Sequence, residues 1–142
     1  MRDRNLFWFT VLLTLLLAVL TACGGSTAPS GPRAVQVTLS EFKIASSVTT
    51  FAPGTSYHFV VTNQGQVAHE FMIMPMGMTM EHLSMDAMHQ MALYMFDNVA
   101  PGETKTFDYT FKPSMVGQHF EFACHLPGHY EAGMRLPIIV KK

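Results

Sequence analysis

The sequence predicts an all-β fold, an antiparallel Greek-key β-sandwich. Three observations lead there. Short runs of alternating apolar and polar residues recur along the chain, and strands take that period. Pro- and Gly-containing turns separate them, as in Ala52-Pro-Gly54, Ala100-Pro-Gly102 and Lys112-Pro-Ser114. Seven or eight such strands fit within one domain of a chain of 142 residues, long enough to bury a real core.

The N-terminus stands apart from that pattern. Arg2 and Arg4 precede an apolar run from Leu6 to Leu20, too short for a comfortable membrane span. The run ends in Leu20-Thr-Ala-Cys23, which resembles a bacterial lipoprotein signal cut before a lipidated Cys23. The expected organisation is a signal peptide over 1–22, a lipidated Cys23 with a Gly/Ser/Pro tether over 23–33, and one β domain over 34–142. That reading makes the protein exported and anchored by lipid to a membrane of the cell envelope. An uncleaved anchor, or a signal cut near Ala22, is the competing reading. Removing residues 1–22 leaves seven basic and nine acidic residues, a balance that gives no reason to expect a nucleic-acid partner.

In order, Val35-Gln-Val-Thr-Leu39 alternates as a half-buried strand, and Phe42-Lys-Ile44 continues it or starts a second. Ser46 to Thr50 is polar and reads as loop. Tyr57 to Thr62 is β-branched and aromatic. Val67 to Ile73 follows, with His69, Phe71 and Ile73 on one face by parity. Thr104 to Phe111, Gly117 to Cys124 and Leu136 to Val140 complete the set, with Phe120, Phe122 and Cys124 sharing the inward face.

Between Met72 and Met95 the β pattern breaks, and the stretch holds nine Met residues with His82 and His89. Met85, Met88, Met91 and Met95 recur at helical spacing, which predicts a helical insertion around residues 79–95 capped by Thr79. Thioethers fill irregular gaps, so packing against the sandwich is one reading of this segment. A second is a Cu(I) site, since thioether sulfur selects Cu(I), in which His82, Met85 and His89 share a helical face. A polarizable docking surface for a redox partner is the third.

The chemistry concentrates in Cys124-His-Leu-Pro-Gly-His129-Tyr-Glu-Ala-Gly-Met134. A thiol, an imidazole and a thioether stand at intervals of five, and His69 supplies a second imidazole from an upstream strand. Two His, one Cys and a weak Met are the donors of the blue-copper electron-transfer site. Taken alone, each of the four also reads as an ordinary core or hydrogen-bonded residue; the spacing makes them a set.

These residues resemble the cupredoxins, the small blue-copper proteins that include plastocyanin, azurin and auracyanin. The resemblance covers roughly residues 34–142. It implies one type 1 copper per chain on His69, Cys124, His129 and Met134, in a monomer that is not an enzyme because protein fills every position on the metal. Single-electron transfer to redox partner proteins follows; storage or delivery of copper in the envelope, or copper tolerance, is the alternative that the Met-rich segment favours. With Cys23 lipidated and Cys124 on the metal, no disulfide is expected. Glu70 departs from the Asn usual after the strand His in plastocyanin and azurin, where that Asn ties the two ligand-bearing segments together. His125 follows Cys124 as in multicopper oxidases, but Ala123 interrupts their His-Cys-His triplet, so His125 reads as a partly exposed loop residue. His58 and His119 read as structural residues of their strands.

Overall fold

The computed structural model describes residues 31–78 and 84–142. The signal peptide, Cys23, most of the tether, Thr79 and His82 lie outside the described residues. Residues Gly31–Lys142 form one compact unit.

Nine strands and one α-helix appear among the described residues: β1 (Arg33–Ser40), β2 (Lys43–Ser46), β3 (Thr50–Phe51), β4 (Ser56–Asn63), β5 (His69–Pro75), α1 (Met85–Met91), β6 (Tyr94–Val99), β7 (Thr104–Thr110), β8 (His119–Ala123) and β9 (Arg135–Val140). One sheet has the order β2-β1-β4-β7 and the other β3-β9-β8-β5-β6. Most neighbours run antiparallel, but β1 pairs parallel with β4 and β3 with β9, so both sheets are mixed. The polar stretch read as loop contributes the end of β2 and Thr50 of β3.

Alternation explains the core. Val35, Val37 and Leu39 of β1 and Tyr57, Phe59 and Val61 of β4 point inward and are buried. Phe71, Ile73, Phe120, Phe122, Ile138 and Val140 of the other sheet join the same core cluster. Phe59 and Phe107 stack as a cross-strand pair with centroids 4.7 Å apart. Tyr94 stacks on the same Phe107 ring at 3.7 Å.

The Met-rich insertion differs from the expected helix. Its helix is short, Met85–Met91, with Ser84 as N-cap, its Oγ accepting from Ala87 N at 3.3 Å. Tyr94 and Met95 belong to β6, where Tyr94 and Phe96 pack on the main core while Met95 turns to the other face. The aromatic alternation of this segment completes a sheet edge, and that pairing outweighs the helical spacing of the methionines.

Both faces of β5 are covered. Met72 and Met74 form a second small cluster with Ala123 and Tyr130, with Met78 and Met95 packed against it. Parity placed Glu121 on an outer face, yet this cover leaves it 1% exposed, accepting from Tyr130 Oη at 2.7 Å and Gly77 N at 3.0 Å.

Candidate metal centre

The site forms where β5 begins and β8 ends. Asn63 at the end of β4 fixes the turn that leads into β5. Its Nδ2 donates to Val67 O and Val99 O, each at 2.8 Å, and its Oδ1 accepts from Gly65 N at 2.8 Å. A register shift between His69 and Phe71 against β6 then re-aims the first residues of the strand.

The second ligand-bearing segment is a closed loop. Cys124 N donates to Met134 O at 3.1 Å, and Met134 N to His129 O at 3.0 Å. Gly128 takes φ +82°, a conformation that suits glycine, and lets the chain double back between Pro127 and His129. The β8–β9 pairing Ala123↔Arg135 anchors both ends.

His69, Cys124 and His129 meet here, with one donor atom from each within 4.8 Å of the others. Nδ1 of His69 lies 3.3 Å from Nδ1 of His129, and Cys124 Sγ lies 3.4 Å from the same His129 nitrogen. His69 and Cys124 are fully buried and His129 is half-buried. Met134 is fully buried in the same core cluster as Cys124.

The electrostatics fit a cation. Burial pushes the Cys124 thiol up and, with the neighbouring His129, holds the His69 imidazole below its ordinary value. Neutral imidazole is the form that ligates a metal, while the buried thiol keeps its proton until a metal displaces it. Two imidazole nitrogens and a sulfur converging on one point are a donor set that a soft or borderline metal ion takes up. Glu70 N also donates toward Cys124 Sγ at 3.4 Å, which favours thiolate. Buried His69 Nε2, the ring nitrogen away from His129, has no hydrogen-bond partner among the described residues.

Glu70 keeps the brace that the usual Asn would supply. Its Oε2 accepts from His125 N at 3.2 Å, tying β5 to the ligand loop. Burial raises the Glu70 carboxyl above its ordinary value, although the His125 N–H and nearby His89 pull the other way. His89 Nε2 lies 3.7 Å from Glu70 Oε1, so this helix face turns toward the brace. Met85 is one turn away and half-buried; His82 lies outside the described residues.

His125 is not the partly exposed loop residue expected from sequence. It is 1% exposed, its ring stacked on Tyr130 at 4.3 Å, with Nε2 3.0 Å from Met74 Sδ. Burial lowers its pKa. A partner so distant in sequence as Met74 left no local signal for this placement. His58 pairs with Asp108 at 2.6 Å on the exposed face of β4–β7, and His119 is exposed at the start of β8.

Solved structures share this fold. A dithionite-reduced auracyanin from Roseiflexus castenholzii superposes with a TM-score of 0.59 at 17% identity, over 79% of this chain and 100% of that one. An azurin from Methylomonas sp. strain J gives a TM-score of 0.57 at 14% identity, over 79% and 100%. The chain has the cupredoxin fold.

Among curated proteins, the chain is similar to the copper-resistant cuproprotein CopI of Vibrio cholerae, 38% identical over 91 residues, or 60% of this chain and 50% of that protein. The chain thus spans half the length of that relative. The CopI of Rubrivivax gelatinosus is 29% identical over 120 residues, 80% of this chain and 70% of that protein. No protein-family model matches the chain.

Proposed function

We propose that this chain binds one copper ion through His69, Cys124 and His129, with Met134 as a fourth, weaker donor, and carries single electrons in the bacterial cell envelope. The convergence of two imidazole nitrogens and a buried thiol carries the reading, because that donor set suits copper in both oxidation states. Copper held there would supply a reversible one-electron couple. The chain's residues hold the donors rigid: Asn63 and the β5 register set His69, the Glu70–His125 hydrogen bond fixes β5 against the loop, and the Cys124–Met134 backbone pairing closes it. Four protein donors leave no position for a substrate, which favours a carrier over an enzyme.

The second reading is copper handling for resistance, and the names of the CopI relatives favour it. The Met-rich cover of β5 and β8 is the feature that would serve it. Export and lipid anchoring at Cys23 place either role in the envelope; the Arg2–Cys23 pattern supports this part of the proposal. Among the described residues no helix is long and apolar enough to cross a membrane.

The test is the visible spectrum of the Cu(II)-loaded protein. Intense thiolate-to-copper bands that vanish in Cys124→Ser are expected; weak d–d bands alone would remove Cys124 from the metal and end the electron-transfer reading. Reversible voltammetry with fast self-exchange favours the carrier. Ready loss of copper to an acceptor protein favours handling.

A further inference from the structure

His129 is the one half-buried member of the His-Cys-His cluster. Its Nδ1 faces the other donors, so the opposite edge of the ring faces outward. Phe42 packs on this ring, the two rings meeting edge-to-face with centroids 5.5 Å apart and planes at 78°.

Phe42 is an odd residue for its place. Ser40 pairs with Lys43, so Glu41 and Phe42 form the two-residue tip of the β1–β2 hairpin. Phe42 takes φ +56°, and among non-glycine residues described it alone has a positive φ. That region disfavours a bulky side chain, and hairpin tips of this kind favour Gly or Asn. Phe42 is also 50% exposed, so core burial does not repay the strain.

The neighbour of Phe42 fastens the tip down. Glu41 Oε1 accepts from Gln66 N, in the turn that leads to His69. That hydrogen bond, first among its causes, holds the Glu41 carboxyl below its ordinary value. A Cβ on Gly65 would come within 2.6 Å of Glu41 Oε1, so the turn is shaped to receive this carboxylate. The hairpin tip is thereby latched to one ligand-bearing segment and lays an aromatic ring over the ligand of the other.

We propose that the Glu41–Phe42 tip is a lid over the half-buried ring of His129, with Phe42 as the cover and Glu41 as its latch, and that it slows metal exchange on that side. Phe42 is a positioning and shielding residue; it donates nothing to the metal. The claim about exchange rests on the copper reading above, whereas the cover itself does not.

Two measurements separate them. In the metal-free protein, a soluble gadolinium chelate should relax the His129 ring proton more strongly in Phe42→Gly and Phe42→Asn than in wild type. Unchanged relaxation overturns the lid. In the Cu(II)-loaded protein, loss of copper to EDTA should run about two- to tenfold faster in both variants, the range that one edge-to-face contact corresponds to. Glu41→Ala should move the rate in the same direction. Glycine and asparagine both accept the positive φ, and relief of that backbone strain offsets the lost ring contact, so the unfolding midpoint of the metal-free variants should not fall. A faster loss matched by a lowered midpoint would make Phe42 a structural residue and overturn the proposal. Greater ring exposure in a protein that shows no Cys124-dependent copper band would support the lid while sinking the copper reading.

Discussion

Replacing Asn63 tests how the fold sets up His69. The side chain is fully buried and makes three hydrogen bonds of 2.8 Å, two donated by Nδ2 and one accepted by Oδ1. Each such bond contributes about 1 kcal/mol net, and a buried group left without its partner costs about 1–3 kcal/mol. Gly102 N donates to the main-chain oxygen of Asn63, a bond that survives substitution. Asn63→Ala is therefore expected to destabilise the metal-free protein by about 2–4 kcal/mol, a large share of the 5–15 kcal/mol typical of a domain. Asn63→Asp keeps the acceptor for Gly65 N but turns a carboxylate oxygen toward two carbonyls, which raises the pKa of the new group in the folded state. A carboxyl with a raised folded pKa contributes stability below its unfolded pKa and loses it as pH rises through the folded one. The aspartate variant should thus lie at or below the alanine variant at neutral pH and recover relative to it on acidification. Urea unfolding followed by circular dichroism reads both, as a shift in midpoint at constant slope. An alanine variant within about 0.5 kcal/mol of wild type, the range of ordinary surface substitutions, would refute the assignment of Asn63 as the keystone of this turn.

Other outcomes follow from the same contacts. Glu70→Ala strands the buried His125 N–H and should cost about 1–3 kcal/mol, whereas Glu70→Gln keeps an acceptor and sheds a buried carboxylate, so it should be clearly the more stable of the pair by thermal unfolding. Tyr130→Phe removes one of two donors to buried Glu121 and should cost about 1–2 kcal/mol by the same assay, with Gly77 N still bound. Because burial holds the Cys124 thiol protonated in the metal-free protein, Cu(II) uptake at neutral pH should release about one proton per ion, seen as a buffer-dependent binding heat that Cys124→Ser abolishes. Phe59→Ala empties the centre of the aromatic core and should cost about 3–5 kcal/mol in a denaturant titration.

The sandwich was legible because β1, β4 and β7 each bury one face and alternate cleanly. The meeting of His69, Cys124 and His129 was legible because two of them stand on one loop at fixed spacing and an upstream strand supplies the third. What alternation could not reveal was the covered outer face of β5 and β8. Glu121 and Met74 sit at positions that parity sends to solvent, and each is buried because a segment distant in sequence folds over it. The same cover explains His125, whose ring finds Met74 and Tyr130 on that side. It also explains the short helix. The methionines at helical spacing had two surfaces to satisfy, and Met95 satisfies the outer cluster from a strand. Periodicity reports how many faces a segment buries, not which neighbour buries them. A sheet covered on both sides therefore reads as a break in pattern, and the Met-rich stretch is where this chain hides that second cover.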